Sequence, residues 1–321
     1  MKRNLLVLAL LGLSAVSGWS LTAEDVLKKA KYLYFVPNYT AVAEGTMGTM
    51  SVKGVTLSAQ SFQTNQKIYN RTEKDGTVLT RIETKSLVDP KLMDKAGASG
   101  RAGIDSLLNM TLLTKSDKDG VILEMMQIDD KAKTAIKWLF MKDMMKGGKD
   151  LCTGKDLYEL SKCTTEAAVL NEEKMDGRDY YVVTEKLSKE YIQKMREQTN
   201  QSMKSMAGDG VLGEAIKKAG NSNSLPMPDS LKMWIDKKDL FVYKSDSLDE
   251  QGKLMYSMKY NNIKTDAKPD PKLFAIPGSY KVREINNFSE YISYMMEKMG
   301  VDPKMMGEAM KAMTKTADSV K

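Results

Sequence analysis

The chain has 321 residues, with 49 Lys and Arg against 42 Asp and Glu, a net charge of +7 spread through almost every segment. It contains no histidine. That removes Ser-His-Asp triads, histidine general bases and histidine-ligated zinc, and leaves carboxylates, lysines, tyrosines and cysteines as the groups able to do chemistry. No dense Lys/Arg cluster interleaved with aromatics is present, so a nucleic-acid partner is not expected.

Residues 1–20 carry Lys2 and Arg3, an apolar run from Leu5 to Leu13, and small residues near Ser17 and Ser20. This order is that of a secretory leader, and the run is shorter than the roughly 20 residues a bilayer span needs. With no cysteine at the cleavage region, the expectation is an exported, soluble periplasmic protein without a lipid anchor. Loss of Lys2 and Arg3 lowers the net charge from +7 to +5, which suits an ordinary soluble surface as well as a weak attraction to anionic headgroups.

Thr22, followed by Glu24 and Asp25, predicts a capped amphipathic helix of about three turns through Val26, Leu27, Ala30 and Leu33. From Tyr39 to Ser86 the pattern changes to long polar-rich strands with a Lys74-Asp75-Gly76 turn, which predicts an antiparallel meander with one solvated face. Residues 89–115 break this rhythm with a Gly/Ala/Ser centre and Ile104, Leu107, Leu108 and Leu112, read as two short helices that cover the sheet or fill its core. Strands return in "GVILEMMQID" and "TAIKWLFMK", where Ile136, Trp138 and Phe140 share one side.

Cys152 and Cys163 stand eleven positions apart. In an exported chain this reads as a disulfide closing a short loop, contributing roughly 3 kcal/mol. Two free thiols or a redox pair are the alternatives, although the spacing is not Cys-x-x-Cys. A turn at Asp176-Gly177 leads into a strand from Tyr180, residues 187–220 read as a weakly apolar helical insertion, and residues 286–321 read as a methionine-rich helical tail.

Between Ser230 and Pro277 the pattern is hairpin material. "MWI" and "LFVYK" flank Asp236-Lys237-Lys238-Asp239, and Asp249-Glu250-Gln251-Gly252 precedes a strand with Leu254, Tyr256, Met258 and Tyr260 on one side and Lys259 on the other. A Trp-Ile-Asp strand with a charged turn, an acidic turn with Gly-Lys, and a closing Asp-Pro-Lys-Leu-Phe-Ala-Ile-Pro together resemble the C-terminal half of LolA-type outer-membrane lipoprotein-sorting proteins. The resemblance covers about fifty residues, Met233 to Pro277. It implies an α+β fold: a curved antiparallel half-barrel of the LolA/LolB kind over residues 21–285, covered by helices. It also implies a ligand face on the concave side, and hence a cavity lined by Ile136, Trp138, Phe140, Leu254, Tyr256, Met258 and Tyr260.

Methionine occurs 25 times and phenylalanine six. A methionine-rich wall adapts to acyl chains of varied shape, methionine in place of leucine fills ordinary cores, and thioethers ligate Cu(I). The helical spacing of Met306, Met310 and Met313 fits the first two more simply. The expected activity is therefore non-catalytic: a monomeric carrier that shelters acyl chains of a lipid or lipoprotein, receives them from and delivers them to membrane-bound partners, and needs no cofactor or metal. A sensor or scaffold on the same fold is the alternative.

Overall fold

Alternating apolar and polar residues, punctuated by turns that need a left-handed residue, build a single large sheet. The computed structural model describes residues 21–48, 50–52, 55–57, 62–88, 109–118, 121–139, 156–206 and 227–299. The strands are β1 (Tyr39–Met47), β2 (Met50–Val52), β3 (Val55–Leu57), β4 (Phe62–Thr72), β5 (Val78–Val88), β6 (Asn109–Ser116), β7 (Ile122–Asp129) and β8 (Thr134–Trp138), then β9 (Thr165–Met175), β10 (Arg178–Leu187), β11 (Ser230–Asp236), β12 (Val242–Leu248), β13 (Leu254–Thr265) and β14 (Lys281–Ile285). Twelve of them form one open, curved sheet in the order β14-β8-β7-β6-β5-β4-β1-β13-β12-β11-β10-β9, and β2 and β3 form a separate small hairpin. Every pairing in the large sheet is antiparallel except β14 with β8, which is parallel.

The expected turns hold because their residues tolerate the required backbone. Asp176 (φ 52°) and Gly177 (φ 78°) close the β9–β10 hairpin, and Gly252 (φ 72°) closes β12–β13. At the Trp-Ile-Asp motif the Asp236 carboxylate accepts from the backbone amide of Lys238 at 2.7 Å, which fixes the reversal. Register shifts interrupt β1–β13 between Thr40 and Val42, with Asn262 at φ 51° on the facing strand. Such bulges bend and twist a sheet that would otherwise be too wide to curve smoothly.

Two faces follow from the register. The inner face carries the helices α1 (Ala23–Leu27) and α2 (Leu157–Thr164), which pack Val26, Leu27 and Leu157 on Val183, Met233, Ile235 and Val242. Helix α3 (Lys189–Met206) follows β10. At the opposite end of the sheet, α4 (Phe288–Met299) sets Tyr294 on Ile136 and Ile285. The outer face is crossed by residues 266–280: Arg71 donates to the Pro269 carbonyl at 2.9 Å, Arg81 donates to that of Leu273 at 2.8 Å, and Ile276 and Tyr280 pack on Leu113, Ile128 and Ala135. The closing Asp-Pro-Lys-Leu-Phe-Ala-Ile-Pro motif is thus a strap that leads the chain from the middle of the sheet to its edge.

Several expectations change. The capping box at Thr22 and Asp25 forms, but α1 ends at Leu27 instead of running three turns. Its continuation is pulled into strand-like pairing, with the Lys31 amide on the Leu240 carbonyl at 2.7 Å and the Val242 amide on the Lys31 carbonyl at 3.0 Å. Leu112, expected on a helix, lies in β6, where Thr111 and Leu113 are buried on one face and Leu112 turns to the other. Helix α4 is capped by Asn287, whose side chain accepts from the Glu290 amide at 2.9 Å. The leader, residues 89–108, 207–226 and 300–321, Phe140 and Cys152 lie outside the described residues. Cys163 lies on α2, and its bridge to Cys152 remains a proposal.

Candidate functional site on the inner face

The residues expected to line a cavity fall largely on the predicted side. Pairing passes the inner face from Tyr256, Met258 and Tyr260 to Met47, Gly45 and Ala43 on β1, on through Thr64, Gln66 and Ile68 on β4, and across β5, β6 and β7 to Ile136 on β8. Leu254 departs from this set: it lies beyond a register shift and pairs with Leu248, so the strict alternation runs from Tyr256 to Tyr260.

One face does not make one pocket. Strand β13 stands six interstrand steps from β8, roughly 29 Å along the sheet at about 4.8 Å per step. At the β8 end the apolar side is already covered. Ile136 is buried against Ile285 and Tyr294, and the Trp138 ring lies 4.6 Å from that of Tyr291 at 52°. Ile136 and Trp138 therefore pack under the tail helix, whereas Tyr256, Met258 and Tyr260 lie at the other end of this run of strands. Two pockets formed by described residues are one of about 190 Å³ between α1 and α2, lined by Glu24, Tyr158 and Lys162, and one of about 240 Å³ beside Arg178, Tyr243 and Lys259, which Tyr260 borders.

At the β1–β13 end a different arrangement appears. Tyr32, Tyr39, Tyr256 and Tyr260 gather round a floor made by Leu33, Ala41, Ala43, Ile68 and Phe241, with Met258 and Tyr260 packed against it. Small residues at Ala41, Ala43 and Gly45 lower the floor beneath the rings. Burial pushes the Tyr39 phenol up to about 12, with the neighbouring Tyr32 adding to the shift. Burial also raises Tyr260 and Tyr256, and Tyr32 contributes to both. These phenols stay neutral at physiological pH, so they offer hydrogen bonds without charge. Tyr256 is the exposed member, at 37%.

Glu185 is the buried carboxyl of the same face, 2% exposed. It accepts a short hydrogen bond from the Ser161 hydroxyl and ties α2 to β10. Burial raises its pKa, and the hydrogen bonds from Ser161 and Thr165 oppose that shift. Among the described residues no group of three or more Asp, Glu or Cys side chains is placed to hold a metal ion.

Sequence reasoning missed Tyr32, Tyr39, Gly45 and Thr64. The signal was present in β1, where Tyr39, Ala41, Ala43, Gly45 and Met47 alternate strictly, but small residues do not register as an apolar stripe.

No family model matches the chain, and no curated protein matches it. Among solved structures it is similar to an uncharacterized conserved protein from Thermus thermophilus, at 11% identity and a TM-score of 0.40, over 82% of this chain and 99% of that one. MucB, solved with MucA from Pseudomonas aeruginosa, is similar at 13% identity and a TM-score of 0.37, over 82% of this chain and 64% of that one. A LolA superfamily protein from Nitrosomonas europaea is similar at 12% identity and a TM-score of 0.26, over 80% of this chain and 98% of that one. Likeness at this level concerns the course of the chain and carries no activity across.

Proposed function

We propose that the protein is a non-catalytic envelope carrier whose inner face, at β13 and β1, shelters acyl chains of a lipid or lipoprotein. The observation that carries this reading is the tyrosine-rimmed floor: apolar, uncharged, lowered by small residues and half open to solvent at Tyr256. Covering an acyl chain is worth about 0.8 kcal/mol per methylene, so even a partial cover supplies useful affinity. Methionines at positions 47 and 258 border the floor, and their flexible thioethers suit chains of varied shape. Export to the periplasm follows from the leader sequence, and transfer between membrane-bound donor and acceptor follows if the acceptor binds the same chain more tightly. No helix among the described residues is long and apolar enough to cross a membrane.

The test is mass spectrometry of organic extracts from the purified mature protein, alongside titration with a pyrene-labelled fatty acid. Co-purifying acylated lipid and saturable probe binding are expected, with Met258→Glu abolishing binding and the outward Lys259→Glu leaving it intact. A parent protein that carries no lipid, binds no probe and instead holds a stable protein partner would replace the carrier with a sensor or scaffold.

A further inference from the structure

Strand β9 ends the large sheet, and among the described residues no strand pairs with its free side. It is eleven residues long, and all of it except Thr165, Leu170 and Met175 is exposed. The other end of the sheet is blunter: β14 has five residues and leads into α4, which packs on it. A long edge open on both faces is a template for a further strand. The ladder decides which of its groups are free. The Lys237 amide donates to the Asp179 carbonyl at 3.0 Å, on the β11 side of β10. Bonding direction alternates along a strand, so even-numbered residues of β10 bond to β9 and, through the pairing of Arg178 with Met175, occupy its odd-numbered residues. Ala168, Leu170, Glu172 and Lys174 are left with amides and carbonyls that aim outward. A register shift beyond Ala167 ends this regular stretch.

The charges on this edge select its occupant. Glu172 is held by Lys237 at 2.6 Å and Glu173 by Lys232 at 3.6 Å, whereas Lys174 makes no ion pair among the described residues. We infer that β9 is the seam of a two-fold dimer, in which two copies of this chain pair antiparallel about Leu170 and join their large sheets edge to edge. Leu170 then faces itself, Ala168 faces Glu172 of the second copy, and each facing pair exchanges two backbone bonds between groups that are free in the single chain. At either end Lys174 comes beside Glu166 of the second copy, whose carboxylate has only the exposed Lys186 at 3.3 Å to share. Neighbouring registers that keep the outward groups matched are worse. Sliding one way sets Glu166 against Glu172, and sliding the other brings the two Glu172 side chains diagonally together and puts Lys174 opposite Ala168. Val169, 57% exposed on the outer face, gains cover beside the axis. An isologous contact of this kind is self-complementary and closes at two copies. It turns both inner faces to the same side, and it does not depend on what those faces carry.

The experiment is sedimentation velocity of the purified mature protein over a concentration series, for the parent, Ala168→Pro, Lys174→Glu and Glu166→Lys. The parent should pass from monomer to dimer as concentration rises. Proline at 168 removes an outward amide and leaves the β9–β10 ladder intact, so Ala168→Pro should stay monomeric and melt near the parent's temperature. Lys174→Glu and Glu166→Lys, which each place like charges together at both ends of the seam, should each weaken the dimer by roughly 2- to 30-fold. Mixing those two variants should restore it, because each then supplies the charge that the other lacks. If Ala168→Pro fails to fold, the mixing experiment decides. A parent that stays monomeric at its highest soluble concentration refutes the seam, as does a dimer that survives Ala168→Pro. Single charge variants that dimerise like the parent, or a mixture no tighter than its components, refute pairing about Leu170. A parent that pairs β9 with an extended segment of another protein, and never with itself, also overturns the dimer.

Discussion

Trp138→Ala separates a core position from a ligand wall. The Trp138 ring is half-buried, packs at 4.6 Å on Tyr291 of α4, and sits beside Ile136, which is 2% exposed. Fully buried Trp-to-Ala changes cost about 3–5 kcal/mol. Partial burial places this one near the lower end, about 3 kcal/mol, of which about 1 kcal/mol belongs to the ring pair. A cycle of Trp138→Ala, Tyr291→Ala and the double variant should therefore be non-additive by about 1 kcal/mol. Urea unfolding followed by circular dichroism gives the stabilities, and titration with the pyrene-labelled fatty acid gives the affinity. The reasoning expects a large loss of stability and unchanged probe binding below the transition. A variant as stable as the parent that no longer binds the probe would show that α4 does not seal this end and that β8 is ligand wall.

Gly48→Ala should lower stability by about 1–3 kcal/mol or more, since its Cβ would run into the Leu254 carbonyl oxygen, whereas Gly278→Ala, with nothing within 4 Å, should be near neutral by thermal melting. Burial raises the native pKa of Glu185, so the native state holds that proton more tightly than the unfolded chain. Stability is then full below the ordinary carboxyl range and falls as pH rises towards the native value. Glu185→Gln should match the parent near pH 4 and exceed it near pH 8, and a constant difference across melts in that range would contradict the assignment. Intact mass of the exported protein should show loss of residues 1–20 and no alkylation without reductant. Two alkylated thiols would rule out the Cys152–Cys163 bridge.

Strand identity, hairpin turns and the side each residue of β13 faces from Tyr256 to Tyr260 were legible in the sequence, because period-two alternation and left-handed turn residues are local properties of the chain. The Trp-Ile-Asp turn and the Asp-Pro-Lys-Leu-Phe-Ala-Ile-Pro close could likewise be read as a motif, although its role as an outer strap held by Arg71 and Arg81 could not. What lay beyond the sequence is set by pairings between distant segments. Lys31 joins Leu240 and Val242 and so cuts α1 short, a register slip removes Leu254 from the inner set, and α4 covers Ile136 and Trp138. The strand order places β8 and β13 six steps apart, so residues that share a face by parity are not thereby neighbours. Parity is written in the sequence one residue at a time, whereas adjacency depends on which strands pair. That choice brought Thr64 and Tyr256, 192 positions apart, over the same glycine.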